Sequence, residues 1–337
     1  MILEASRKYG LLLFLMFTFC TLHAKSIHDN TKSLGVIVRP PFRGELEFAN
    51  RIQLAAKNLN CDAKIVTCSS PQNCNDEFDW LITLVPVMMS DPKDNQYLVL
   101  FDPVHHFFDN KGFLRQEYRR YRGYLTTYED TETLKADVGE SLICPTRWYP
   151  TVQSRSYRIV RPNQLFFFIG QWGERGFSKK YLTMQRLLSK KAYAKFYGNE
   201  SFGKKYGSAF KGPINFNGET VLDLISECGV CLVLHSQVHI AHHIPSCRIF
   251  EAAASSAVII CDLNPFVMDH FGDSVLYIDQ TRSGTEIFAQ IEAHMNWIQE
   301  HPDEALLMAK KAHEIYKSCF LLEDQLQELF QFFRSQI

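Results

Sequence analysis

Apolar and polar positions along this chain follow two repeating patterns. Short, mostly apolar runs recur at 34–38, 63–67, 80–84 and 97–101, and again at 165–169, 193–197, 230–234 and 258–260. Runs of this length between turn residues read as strands buried on both faces. Between them the apolar spacing lengthens to three and four. Leu46, Ala49, Ile52, Leu54, Ala55, Ala56 and Leu59 predict a helix over 45–59. A basic amphipathic helix follows over 179–192, a short one over 220–227, and another over 286–299. From 303 to 333, Leu306, Ala309, Ile315, Cys319, Leu322, Leu326, Leu329 and Phe333 predict one long helix or two closely joined. Strand, crossover helix and parallel strand form a Rossmann-like unit, and the alternation restarts at Leu165. The expectation is an α/β fold of two Rossmann-like domains facing a central cleft. They would span 25–157 and 158–337, with the boundary inside 150–163.

Composition narrows the function classes. Of 337 residues, 46% are hydrophobic and 22% charged, as in a globular protein, and the net charge of −1 leaves no electrostatic footprint for nucleic acid. The basic and aromatic stretch 117–122 is followed at once by an acidic one, so it reads as a solvated helix face with buried tyrosines. At the start, Arg7 and Lys8, an apolar core over 10–22 and a cleavage position after Ala24 read as a signal peptide or membrane anchor over 1–24. Export or membrane association follows if that leader functions, and a cytoplasmic location if it does not. Cys228 and Cys231 form a lone CxxC entering an apolar run, so they read as buried structural thiols. Asn199 opens a glycosylation sequon, meaningful only in a eukaryotic secretory pathway.

Candidate chemistry concentrates in 246–262. Ser246 is a good N-cap, small residues after it suit a tightly packed helix, and Val258, Ile259 and Ile260 read as a buried strand. Arg248 and Glu251 stand three apart, on one face near the positively polarised helix start. A cation and helix amides suit a diphosphate, and a carboxylate accepts hydrogen bonds from two ribose hydroxyls. An ordinary solvated ion pair is the competing account. Gly170 and Arg175 lie in the loop after a strand of the second domain, at the carboxyl edge where ligands bind, and Arg175 is placed to meet a phosphate. His235 ends another strand at that edge and His239, His242 and His243 follow, which predicts a flexible loop over the bound nucleotide. No nearby Cys or carboxylate completes a metal set with them, so no metal is expected.

The same residues carry a resemblance. Residues 248–254, the apolar strand, 262–265 and 271–279 resemble the donor-binding half of GT-B glycosyltransferases of group 1. Within that group they are most similar to the spore-maturation, CgeB-like type. The resemblance implies a glycosyltransferase of hexosyltransferase type, retaining and metal-independent, with a nucleotide-diphosphate sugar as substrate rather than a cofactor. Its acceptor would be a glycan, protein or small molecule. Glu251 would bind the donor ribose. Gly44, in the turn opening the first helix, would face the donor phosphates, and His105 or His106 would lie near the reacting sugar. The terminal helix would pack back across the first domain. Many relatives carry a second Glu where this chain has His243, and Gly where it has Ser256. Two rival readings accompany this one: an exported two-lobed solute-binding protein, and a GT-B fold that binds nucleotide or glycan without turnover.

Overall fold

The computed structural model describes residues 33–38, 43–67, 78–84, 95–100, 107–108, 114–128, 131–170 and 174–336. The expected leader at 1–24 and both His105 and His106 lie outside the described residues.

Two parallel sheets organise the chain. The first takes β1 (Ser33–Val38), β2 (Asp62–Thr67), β3 (Trp80–Thr83), β4 (Gln96–Leu100) and β5 (Gly123–Thr126) in the order β2-β1-β3-β4-β5. Helix α1 (Arg43–Asn58) makes the crossover from β1 to β2, with Val36 in register with Ile65 on one side and Ile82 on the other. Helix α2 (Glu132–Val138) follows β5. The second sheet holds β6 (Gln164–Ile169), β7 (Ala194–Gly198), β8 (Phe210–Gly212), β9 (Gly229–Val233), β10 (Val258–Asp262) and β11 (Val275–Ile278), ordered β11-β10-β9-β6-β7-β8. Its order reverses between β6 and β9, the switch point outside whose carboxyl ends ligands bind in such sheets.

Around the second sheet run α3 (Glu174–Phe177), α4 (Lys179–Leu188), α5 (Gly203–Tyr206), α6 (Thr220–Cys228), α7 (Gln237–Ala241), α8 (Cys247–Ala254), α9 (Pro265–Phe271), α10 (Gly284–Glu300) and α11 (Pro302–Cys319). Helix α12 (Leu322–Ser335) leaves this lobe and packs on the first, burying Leu322, Leu326, Leu329 and Phe333 with Leu34, Ile82 and Val99. Its Phe330 stacks on Trp80 at 5.8 Å, and its Phe333 meets Tyr97 at 4.2 Å. The return helix is thus part of the first core.

The expectation of two Rossmann-like α/β sheets agrees with this architecture, and several local readings need correction. Helix α1 begins at Arg43, so Gly44 is an exposed first-turn residue and not a turn before the helix. The stretch around 117–122 is no helix face: a single 3₁₀ turn at Gln116–Tyr118 precedes β5, although Tyr118 and Tyr121 are buried as expected. The terminal pattern resolves into two helices, because Phe320 and Leu321 leave helical geometry and both pack inward. Cys228 and Cys231 are buried free thiols. No helix among the described residues is long and apolar enough to cross a membrane.

Candidate functional site

Helix α8 enters from extended backbone at Ser246, whose φ of −86° and ψ of 156° are those of an N-cap. The expected cap bond is missing, however. The Ser246 hydroxyl is buried without a partner, and the first amides of α8 receive no side-chain oxygen. A helix start left uncapped beside an idle hydroxyl is ready to receive an acceptor such as a phosphate oxygen.

One turn on, Glu251 is 2% exposed. The solvated ion pair is therefore excluded for this side chain, and its surroundings are richer than the i,i+3 spacing suggested. Its Oε2 faces Arg248 Nη1 in close ion-pair contact. Its Oε1 accepts from Nη2 of Arg51 at 2.6 Å, reaching across from α1 in the first lobe. The same Nη2 donates to Glu47 Oε1 at 2.8 Å, and Glu47 Oε2 accepts from the Gly218 amide at 2.9 Å. Two carboxylates and two guanidiniums thus alternate through the space between the lobes. Burial opposes ionisation of Glu251, yet Arg248 and Arg51 together hold its carboxyl below the usual range. Burial likewise works against the charge on Arg51, and Glu251 with Glu47 more than compensates, so its pKa is raised. Arg248 also lies over the rings of Phe166 and Phe168 at 5.4 and 5.1 Å, which ties it to the carboxyl half of β6.

A second cluster sits at the carboxyl ends of β9 and β10. His235 is fully buried, and its backbone amide and Nδ1 both meet the Asp262 carboxylate, at 2.5 and 2.7 Å. An acceptor-only carboxylate fixes the proton on Nδ1, leaving Nε2 buried without a partner. The expectation that no Cys or carboxylate stands near this histidine is corrected here. Cys261 and Asp262 complete a set whose ligand atoms all lie within 4.8 Å of one another. They were missed because they come from the neighbouring strand. Their closest pair is the His–Asp hydrogen bond itself, which already accounts for the grouping.

The predicted flexible loop over 235–243 is instead the short helix α7, capped by Ser236 Oγ. Ser236 Oγ also meets His239 Nδ1 at 2.6 Å. Burial, then the nearby His235 and Arg175, push the His239 pKa down to about 3, so that ring is neutral. Arg175 donates to the Leu234 carbonyl at 2.5 Å and Glu174 accepts from the Gln237 amide at 2.9 Å, bracing the loop after β6 against the end of β9. The Arg175 reading needs that amendment: Nη1 serves a backbone carbonyl, while its Nε is buried and unpartnered. Gly170 directly follows β6, with open space where a Cβ would stand. His243 is exposed in left-handed backbone, φ 53°. Ser246, Arg248, Glu251, His235 and Arg175 thus lie along the edge formed by the ends of β6, β9 and β10. Gly44 is on the opposite lobe. Glu47, Arg51 and Asp262 are the members that sequence reading missed.

At the position where many relatives of the resembled family have glycine, Ser256 adopts φ 59°. Its hydroxyl accepts from the Arg158 amide at 3.0 Å, linking the start of β10 to the connection between the lobes.

Comparison with known structures agrees with the two-sheet arrangement. The sucrose-phosphate synthase of Thermosynechococcus elongatus is 9% identical, with a TM-score of 0.55 over 91% of this chain and 100% of that one. A glycosyltransferase from Rickettsia africae is 10% identical, TM-score 0.55, over 91% and 99%. HepE of Anabaena, solved with UDP, is 11% identical, TM-score 0.51, over 89% and 99%. The fold is GT-B. Residues 182–331, a stretch that contains α8 and the His235 cluster, match the family described as glycosyl transferase-like. That match speaks against the solute-binding alternative. Among curated proteins none matches the chain by sequence.

Proposed function

We propose that the protein transfers a sugar from a nucleoside-diphosphate sugar to an acceptor at the edge of the second sheet. The observation that carries the reading is the start of α8: uncapped amides, the idle Ser246 hydroxyl, and Arg248 beside Glu251 one turn on. In the reaction the bond between the anomeric carbon and the diphosphate oxygen breaks. The acceptor oxygen bonds to that carbon and its proton passes to the leaving diphosphate. Arg248, Arg175 and the α8 amides meet the charge growing on the leaving diphosphate, which is where electrostatic stabilisation has most effect. Glu251 holds the ribose hydroxyls. The reading calls on no resident cofactor or metal, and the nucleotide sugar is the substrate. HepE bound to UDP supports a nucleoside diphosphate as the common element. The CgeB-like subtype, retention of configuration, a role for His105 or His106 near the sugar, a glycan, protein or small-molecule acceptor and membrane association through 1–24 remain parts of the same proposal, resting on the sequence resemblance and leader pattern.

Calorimetric titration with UDP and GDP tests it. Charge-assisted hydrogen bonds contribute about 1.5–3 kcal/mol each, so Glu251→Gln is expected to weaken the nucleotide about tenfold or more. Arg248→Lys keeps the charge but loses the planar fork, and a partial loss is expected. Wild type and both variants binding equally well would place the nucleotide elsewhere. His243, exposed where many relatives of the resembled family carry Glu, favours a second reading in which nucleotide binds without turnover. Release of UDP from UDP-sugars by the wild type decides between them.

A further inference from the structure

Arg51 has no obvious reason to be where it is. A guanidinium 1% exposed, on a helix that otherwise buries Phe48, Ala49, Ile52 and Ala55, is expensive to desolvate and is retained for what it pairs with. It pairs in two directions. Glu47 is its neighbour at i,i+4 on α1, and Glu251 belongs to the opposite lobe. Glu251 in turn has its own neighbour at i,i+3, Arg248. Each lobe therefore contains one complete acid–base pair, and a single hydrogen bond, Arg51 to Glu251, joins the two pairs. If that bond opens, every charge keeps a partner at home.

The contacts around that bond have the same character. From α1, Asn50 Nδ2 donates to the Phe216 carbonyl at 3.1 Å and also to its own helix at Leu46. Glu47 Oε2 takes the Gly218 amide. Gly218 stands at φ 85°, and a Cβ there would approach Leu54 Cδ1 to 2.9 Å and the Arg51 amide nitrogen to 3.3 Å. One face of α1 thus lies closely on 216–218 and on Glu251, through side chains, Glu47, Asn50 and Arg51, that each also have a partner within α1.

We propose that Arg51 is a positioning residue of the donor site, contributed by the first lobe. Its guanidinium and the ribose hydroxyls compete for the Glu251 carboxylate, and Glu47 keeps Arg51 paired when the ribose takes it. The inference rests on the donor reading of Glu251. It couples nucleotide entry to loosening of this lobe contact, because Arg51 and the ribose hydroxyls draw on the same carboxylate, whose other oxygen already faces Arg248.

The test uses the full chain with UDP or GDP, whichever the wild type binds, and small-angle scattering of the nucleotide-free protein. Arg51→Met removes the latch while keeping length and an apolar stem. If the latched form is about nine-tenths of the empty protein, its loss tightens nucleotide binding by about tenfold. The free variant should also show a larger radius of gyration than the wild type. Arg51→Lys retains a buried cation without the fork and is expected to fall between the two. It also serves if the methionine variant does not fold. Combining Arg51→Met with Glu251→Gln should bring no gain over Glu251→Gln alone. Folded Arg51 variants that bind nucleotide no tighter than wild type overturn the proposal. Should Glu251→Gln bind normally, the ribose reading fails by itself. The latch is then judged by scattering alone, and an unchanged radius for the Arg51 variants would refute it.

Discussion

Two buried acid–base clusters stand out among the described residues, and they are built to opposite ends. His235 lies just past the end of β9 and Asp262 at the end of the adjacent β10, each the other's main partner, with the carboxylate serving a ring nitrogen and a backbone amide at once. The Glu47, Arg51, Glu251 and Arg248 series lies between lobes, and every member has a second partner. Inside one rigid sheet, exclusivity fixes geometry: the imidazole proton and ring plane are set. Across two bodies, redundancy permits motion, because no bond can break and leave a bare charge behind. The difference teaches where rearrangement is permitted.

That contrast can be broken most forcefully at Asp262. Asp262→Ala takes the carboxylate from two buried donors of His235, leaving Nδ1 only the Cys261 sulfur at 3.9 Å, so a loss of about 1–3 kcal/mol for each donor is expected in denaturant unfolding. A change under about 1 kcal/mol would show that the pair is not the rigid anchor described. Glu251→Gln is the matching cut in the redundant series. Arg51 keeps Glu47, and Arg248 keeps the faces of Phe166 and Phe168, so a smaller loss of about 1–3 kcal/mol is expected without ligand. A pH series sharpens this result. Although burial works the other way, Arg248 and Arg51 hold the folded Glu251 carboxyl below the usual carboxylate range, so its contribution is complete above that range and is lost as pH falls through the folded value. The acid limb of the unfolding curve should therefore be shallower in the glutamine variant. Equal slopes would show that the carboxylate is not held charged.

The smallest expected effect belongs to Ser256→Gly. Left-handed backbone costs a non-glycine residue about 1–2 kcal/mol, which glycine recovers, while the lost bond from the Arg158 amide takes back about 1 kcal/mol. The net should stay under about 1 kcal/mol in midpoint measurements. A large loss would mean that the link to Arg158 matters more to the second lobe than the strain does.

What could be read in the sequence follows the same division between local and distant. Buried parallel strands write themselves as apolar runs, which is why β1, β3, β4 and most of the second sheet were legible; β2 was found from its short apolar run too, but as an edge strand it buries only Ala63 and not both faces as its pattern suggested. Strand β5, Gly-Tyr-Leu-Thr in an arginine- and tyrosine-rich stretch, and the three-residue β8 carry no such run. Arg248 and Glu251 were legible because one helical turn joins them. Arg51 stands 200 positions from Glu251, and only the fold brings them together. A signal was present nonetheless: Glu47 and Arg51 bracket Phe48 and adjoin Ile52 on the apolar side of their helix, where a charge demands a partner. Asp262 escaped for a similar reason. Its link to His235 follows from the pairing of β10 with β9, which aligns Cys261 with Val233, and strand order is not written in either segment.

The packing of α12 has a consequence for the order in which the protein is made. Trp80 and Tyr97, from the early part of the chain, find their ring partners in Phe330 and Phe333, near its end. While the chain is still emerging from the ribosome, the lobe translated first is left with an open apolar face. The lobe translated second has its whole sheet in hand by Ile278. The half that is born first is therefore finished last, and until the final helix arrives it is the half most exposed to chaperones and proteases.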